Sequence, residues 1–448
     1  MVHVCQRWRG IIFASPRRLN LHLTCSYGIP VRKNLVFWPV TFPLVIEYDR
    51  RGSPITPEDE DNIVAALEHP SRVRHIKIEA AKASLIKKVA TTLRESFPVL
   101  TDLELSCQDS VIPVISRRFL GGSTIQHLQR LHLSGVSFPQ LPSPFSSARN
   151  LLSLVIDGMP ANDYITPDAM VKSLAALTRL EYLSISFYEE ISPSDQWRSH
   201  THPRTILPAL ARLSYDGRSE YLEEFLARID APRVDSVTIE YSMHRIQALQ
   251  LSRFIDRTEI LKIDQYTRAH VYFYEDDCLF GLNRSQEAWL EGNPFFFKIM
   301  GEASLKVQVR HMAHLIGQLA AGVFSKVDDL FAHGDNVLGG MGLPEWLSLF
   351  CLFPAVKTLR LSGKLAVYVA SALEDTTEEM VTDVLPALSL IRIAECDEGY
   401  PDDKLEGDDD WMEEVGSMER FLSLRQLSGC PVRVIHPEDE LAEVERRW

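Results

Sequence analysis

Two histidines one helical turn apart are the first residues that could do chemistry. His311-x-x-His314 would set two imidazoles on adjacent turns, a spacing that metal ligands use. No glutamate follows His311, as the H-E-x-x-H pattern requires, and no third ligand is indicated, so the two read as a helix-surface pair. His200-Thr-His202 lies in a polar run, SDQWRSHTHPRT, and reads as solvated. Glu275-Asp276-Asp277 lacks the alternation and the glycine of a calcium loop. There is no phosphate-cradling glycine loop, no kinase signature set and no G-x-S-x-G elbow. The expectation is therefore a non-enzyme, with no catalytic residue, no cofactor and no metal ligand. A Ser/Cys/His site assembled from distant residues stays open as an alternative.

If the chain does no chemistry, its elements must do something else. It has 448 residues, too many for one ordinary core, so it needs several domains or one long repeat array. Apolar residues make up 45% and charged residues 24%, a composition that folds in water. The longest apolar runs, Leu35 to Ile46 and Trp346 to Val356, are broken by proline and fall short of a membrane helix. Net charge is −14, unevenly spread. The first 40 residues carry Arg7, Arg9, Arg17, Arg18, Arg32 and Lys33 and no acid. Such a start suits a transit peptide or a nucleic-acid arm, but Trp8, Phe13 and Phe37 favour a folded segment. The acidic remainder argues against a nucleic-acid footprint. Seven scattered cysteines form no close pair, which fits reduced thiols in cytoplasm or nucleus. In that compartment the Asn283-Arg284-Ser285 sequon has no meaning.

The strongest organisation is a repeat of apolar-x-x-apolar-x-apolar. It begins at Val73, Leu100, Leu128, Leu151, Leu180, Leu210 and Val234, and returns at Val356 and Leu388. The first seven starts are 27, 28, 23, 29, 30 and 24 residues apart, close to the period of a leucine-rich repeat. Four copies share a preface: Phe97-Pro-Val-Leu, Leu207-Pro-Ala-Leu, Phe353-Pro-Ala-Val and Leu385-Pro-Ala-Leu. There the proline can end a helix without removing a ladder bond. Helical stretches lie between. Thr56-Pro57-Glu58-Asp59 reads as a cap, a first-turn proline and two acids, followed by the apolar face Ile63, Val64 and Leu67. Thr166-Pro167-Asp168 repeats the device. Ser219 is expected to cap a helix carrying Leu222, Phe225, Leu226 and Ile229, and Leu85, Ile86, Val89 and Leu93 form another face. Strand and helix of about 27 residues cannot each be buried alone, so units must stack.

The expected fold class is α/β, a leucine-rich-repeat-like solenoid of right-handed strand–helix repeats. The array is placed at 71–400. Across 240–350 the pairs Leu261-x-Ile263, Val271-x-Phe273, Val307-x-Val309 and Val327-x-x-Leu330 read as degenerate repeats. Residues 402–414, DDKLEGDDDWMEE, hold eight acids and one lysine, so 401–417 reads as a solvated acidic loop. An array without chemistry is usually a binding surface built from the variable strand positions. The candidates facing a target are Lys77, Glu104, His132, Ser184, Thr238, Arg360 and Arg392.

The opening residues carry a resemblance. VHVCQRWRGIIFASPRRLNLHL resembles the C-terminal part of an F-box, with Val4, Cys5 and Trp8 matching its core and Ile11, Ile12 and RLNLHL its tail. Arg18 departs from that family's frequently aromatic position. The rest is similar to fungal, basidiomycete-type F-box proteins with degenerate leucine-rich repeats. TCSYGIPVRKNLVFWPVTFPLVIEYD looks like their linker, PSRVRHIKIE, FPAVKTLRLSGKLA and VLPALSLIRIAE like their strands, and FLSLRQLSGCPVRVI like their closing segment. The asparagine that strict leucine-rich repeats place after each strand is Gln108, Val136, Met159 or Ser242 here.

The resemblance implies an organisation of five parts. Residues 1–23 are a partial all-α F-box remnant, 24–70 a linker and capping segment, 71–400 the array, 401–417 the acidic loop and 418–448 a closing segment. It implies a substrate receptor of a cullin–RING (SCF) ubiquitin ligase. Val4, Cys5, Trp8, Ile11 and Ile12 would face a Skp-type adaptor or form the F-box core, and the repeats would hold a protein target. No nucleic acid or membrane partner is expected. Because only the last third of the F-box precedes the repeats, the alternative is a repeat-based interaction scaffold without adaptor binding.

Overall fold

The computed structural model describes residues 21–49, 54–116, 118–120, 126–137, 148–159, 165–187, 204–242, 246–258, 266–283, 295–301, 304–319, 324, 326–334, 343–393 and 418–436. Val4, Cys5, Trp8, Ile11 and Ile12 lie outside these residues, as do His200, His202, Leu261, Ile263 and the acidic stretch 401–417. The chain divides into two compact units. The first is Met1–Gly217 with Glu224–Arg233, and the second is Arg218–Glu223 with Val234–Trp448.

The first unit is built on parallel strands. In chain order its elements are β1 (Leu23–Cys25), α1 (Val31–Asn34), β2 (Leu44–Tyr48), α2 (Pro57–Leu67), β3 (Val73–Ala81), α3 (Ala83–Thr92), β4 (Asp102–Cys107), β5 (Arg130–Ser134), β6 (Ser153–Met159), α4 (Pro167–Leu174), β7 (Tyr182–Phe187), β8 (Thr205–Ile206), β9 (Arg212–Gly217) and β10 (Ile229–Asp230). The sheet runs β1-β2-β3-β4-β5-β6-β7-β9, every neighbour parallel. β8 and β10 form a separate two-stranded parallel pair. Parallel neighbours cannot be joined by a tight hairpin and need a crossover. α2, α3 and α4 supply three of them.

The apolar positions of the repeat template fall in register. Ile46, Ile76, Leu103, Leu131, Leu154, Leu183 and Leu213 form one buried row across seven strands. Tyr48, Ile78, Leu105, Leu133, Ile156, Ile185 and Tyr215 form a second. Because side chains alternate along a strand, the same residues that bury one face leave the x-positions on the other. The α2 start is a capping box: Asp59 N–H donates to Thr56 Oγ1 at 3.2 Å and Thr56 N–H to Asp59 Oδ2 at 3.0 Å. Thr166 caps α4 with its hydroxyl alone, accepting from Ala169 N–H at 3.2 Å. Gly135 follows β5 with φ +62°, and a Cβ there would stand 2.5 Å from the Cys107 carbonyl oxygen, so only glycine fits. At the places where a polar ladder residue was expected, Val136 and Met159 are buried, so apolar packing takes over that role.

The second unit contains α5 (Ser219–Leu226, in part), β11 (Ser236–Ser242), α6 (Leu249–Arg257), β12 (Arg268–Phe273), β13 (Asp277–Asn283), β14 (Phe295–Met300), α7 (Leu305–Gln318), β15 (Asp329–His333), α8 (Leu343–Phe350), β16 (Thr358–Ser362), α9 (Lys364–Glu374), β17 (Leu390–Ile393), α10 (Glu419–Leu427) and β18 (Arg433–Ile435). Its strand order is β11-β14-β13-β12-β15-β16-β17-β18. β13 is antiparallel to both β12 and β14, and the other pairs are parallel.

This corrects the reading of 240–350 as degenerate strand–helix repeats. Val271 and Phe273 are on β12 and Leu330 is on β15, as the rhythm requires. Val307 and Val309, however, sit on α7, with Val309 buried on its apolar face beside Met312 and Ile316. An antiparallel hairpin, DCLFGLN paired with both neighbours, occupies the place where another crossover was expected. Ser219 is the first residue of α5, and its hydroxyl accepts from Gln247 N–H at 3.1 Å.

Candidate interaction surface

In the first unit the outward strand positions form charged rows. Glu47, Lys77, Glu104, His132, Val155, Ser184 and Ser214 are successive register partners from β2 to β9. Lys77 Nζ lies 2.8 Å from Glu79 and 3.7 Å from Glu104, and His132 Nδ1 lies 3.3 Å from Glu104. Hydrogen bonding to His132 lowers the Glu104 carboxyl against the opposing effect of burial, with Lys77 adding to it. The hydrogen bond to Glu79 raises the Lys77 ammonium, opposed by burial and supported by Glu104.

A second row, two residues earlier in each strand, is His75, Asp102, Arg130, Ser153, Tyr182 and Arg212. Burial would raise the Asp102 carboxyl. Hydrogen bonds from His75, Thr101 and Arg130 outweigh it and hold the group well below the usual carboxylate range. The Arg212 guanidinium sits 5.1 Å from the Tyr182 ring centre, a cation–π contact. Beyond these rows, Ser134 donates to Asp157 at 3.0 Å and Ser186 to Asp216 at 2.9 Å. A shallow groove of about 300 Å³, lined by Pro43, Arg74, Pro98, Val99 and His127, lies where the chain enters β2 to β5.

In the second unit the corresponding face is aromatic. Thr238, Phe296, Gly281, His270, Phe331, Arg360 and Arg392 are successive register partners from β11 to β17. Tyr272, Leu279 and Phe331 make a small apolar cluster of their own, flanked by half-buried Tyr274 and Phe296. Tyr272 packs edge-on against Phe331 and His333, with ring centres 5.6 and 5.5 Å apart, and stacks on Tyr274 at 6.2 Å. Beside the rings, Arg268 Nε lies 3.4 Å from Asp329 Oδ2, and Arg360 bonds the same oxygen. Burial drives the His270 imidazole down to about 2, helped by Arg360 and Arg268, so it is neutral at physiological pH.

All seven positions expected to face a target lie on strands, half-buried and on the outward side. Lys77, Glu104 and His132 come together, and Arg360 meets Arg392 in register. Ser184 continues the first row beyond Val155, and Thr238 starts the row of the second unit. Sequence reasoning missed His75, Asp102 and Arg130, one outward position earlier on the same strands, and the ring cluster around Tyr272. Period-2 alternation marks all of them, but their grouping depends on register. His311 and His314 lie on α7, His311 half-buried and its imidazole lowered by burial and by His314. Among the described residues no three His, Cys, Asp or Glu side chains converge as a metal site. Nor, among those residues, is any helix long and apolar enough to cross a membrane.

No family model matches the chain, and no curated protein matches it. Among solved structures it is similar to a leucine-rich-repeat protein of Leptospira interrogans. The identity is 11%, the TM-score 0.33, and the match covers 95% of this chain and 98% of the other. It is also similar to the leucine-rich repeat-containing protein LegL7 from Legionella pneumophila, at 9% identity and TM-score 0.26, over 88% and 97% of the two chains. Both overlaps are too loose to define a common fold.

Proposed function

We propose that this chain is a non-catalytic receptor of the leucine-rich-repeat type that binds a protein target on the outward face of its strands. The observation that carries this reading is the register. Side chains of different chemistry, such as Glu47, Lys77, Glu104 and His132, stand side by side on neighbouring strands, as an extended binding face requires. The finer reading rests on the F-box resemblance of residues 4–23. The target is held near a charged ubiquitin-conjugating enzyme, through a Skp-type adaptor of an SCF ligase, and the effective concentration of its lysines does the work.

Two measurements test these levels separately. A photo-crosslinking residue at position 104 or 132 should capture a discrete protein, and one at Lys87, exposed on α3, should not. Equal capture from both faces ends the receptor reading. Purified chain and Skp-type adaptor should co-elute in gel filtration, and Trp8→Ala should abolish it. If the unaltered chain does not co-elute, the ligase assignment falls and the receptor reading stands.

A further inference from the structure

Among the described residues of the first unit, the most exposed large apolar side chains stand together on one loop. Val36, Phe37 and Val40, between α1 and β2, are 79, 85 and 77% exposed. The loop that carries them is held. Phe37 N–H and Trp38 N–H both donate to the Asn34 carbonyl at 2.9 Å, which extends α1 by a turn. The buried Arg72 guanidinium donates to the carbonyls of Pro39 at 2.9 Å and Phe42 at 3.1 Å. Arg32 on α1 pairs with Asp61 on α2 at 2.7 Å. A backbone fixed from both sides thus presents three bulky apolar groups to water, and such patches mark contact sites.

The size of the patch decides among occupants. Three such side chains expose roughly 400 Å², about half of the 800 Å² that each partner of a stable complex buries. A second copy or a free partner gains too little here by itself. A tethered segment needs less, because its tether holds it at an effective concentration of about millimolar. The chain supplies one. Residues 1–20 lie outside the described residues, and there Val4, Cys5, Trp8, Ile11 and Ile12 recur at the spacing of one helical face. The described chain starts beside the patch, since Leu23 N–H donates to the Pro43 carbonyl at 2.9 Å, three residues beyond Val40. Residues 13–22 intervene, and ten residues span at most about 35 Å, ample for that reach. The charge is complementary too. The polar positions of the segment include Arg7 and Arg9 and no acid, while Glu58, Asp61 and Glu68 lie exposed on or next to α2, the helix that Arg32 ties to the loop.

We propose that residues 4–12 dock on Val36, Phe37 and Val40 as an intramolecular cover, so that the face which the F-box resemblance gives to an adaptor is occupied by the chain itself when no adaptor is bound. This goes beyond the receptor reading and does not rest on it.

The test uses the full chain with a benzophenone side chain at position 37. Irradiation should join it to residues 4–12 of the same chain, located by peptide mass spectrometry, and Trp8→Ala should remove most of that product. Trypsin supplies a second readout. Cleavage after Arg7 and Arg9 should quicken about tenfold in Phe37→Ser, because a segment is cut only when it opens. The melting temperature should hold, since Phe37 supports no core. Crosslinks that map elsewhere, or a product of twice the chain mass, overturn the proposal, the latter assigning the patch to a second copy. Equal cleavage rates in the parent and Phe37→Ser also overturn it. If cleavage is unprotected in the chain alone while the Skp-type adaptor still co-elutes, the ligase reading stands and the cover falls.

Discussion

Arg425 shows how much one side chain can hold. It is completely buried and donates to the carbonyls of Val381, Leu388, Pro386 and Cys430, at 3.2, 2.8, 3.5 and 3.2 Å. A buried charge survives only where hydrogen bonds replace its water, and these four acceptors come from the segment that leads into β17 and from the turn that follows α10. Arg425→Ala should therefore cost about 3 kcal/mol or more, since it strands several buried carbonyls at once. Arg425→Lys should recover little of that, because an ammonium cannot span the fork. Urea unfolding of the three proteins measures both.

His270 makes a second residue-scale prediction, and its sign is fixed. The folded state holds the imidazole at about 2, whereas an unfolded histidine takes up a proton near 6.5. Below pH 6.5 the unfolded chain binds a proton that the folded chain refuses, so stability falls as pH falls, by at most about 1.4 kcal/mol per pH unit from this group. His270→Phe should flatten the slope of melting temperature between about pH 6.5 and 4.5, where most carboxylates are still ionised. An unchanged slope means that the imidazole already finds a proton acceptor in the fold.

At the scale of elements, local chemistry decides where helices begin. Thr56 and Asp59 satisfy each other's backbone N–H groups, and Pro57 occupies the first helical position, where its missing donor costs nothing. Thr56→Ala should destabilise the chain by about 1 kcal/mol. Thr56→Ser should leave it nearly unchanged, because the hydroxyl remains, and thermal melting of the pair decides.

These caps were legible in the sequence because their hydrogen bonds span three residues. The strands of the first unit were legible for a similar reason, since Leu103, Leu105, Leu131 and Leu133 alternate with polar residues. β13 was not. DCLFGLN has no turn glycine or asparagine before it, and both of its neighbours are themselves apolar, so nothing local distinguishes an antiparallel strand from a parallel one. Val307 and Val309 misled because a single two-residue spacing cannot show a helical period; the apolar face of α7 is Val309, Met312, Ala313 and Ile316, at helical spacing. Which outward residues meet, such as Asp102 with Arg130 or Arg360 with Arg392, depends on register across loops of 20 to 30 residues, and composition carries no record of it.

At the scale of the whole molecule, the charge and the outward arginines of the second unit oppose each other. The chain carries −14 at pH 7, yet Arg360 and Arg392 stand in register on the neighbouring strands β16 and β17, with Arg268 on β12, two strands from β16. An approaching target of net negative charge is repelled by the whole charge at long range and attracted by the arginines only at contact. Salt acts on the two parts differently. At about 0.15 M the screening length is about 8 Å, which removes the long-range repulsion but only weakens charges already in contact. The association rate for such a target should therefore rise, by about twofold, between roughly 0.02 and 0.2 M salt, while the dissociation rate also rises. A local basic patch that governed capture at a distance would give the opposite sign, an association rate that falls with salt. Stopped-flow fluorescence across that range separates the two. A falling rate would show that the arginines, and not the overall charge, set the field that an incoming partner meets.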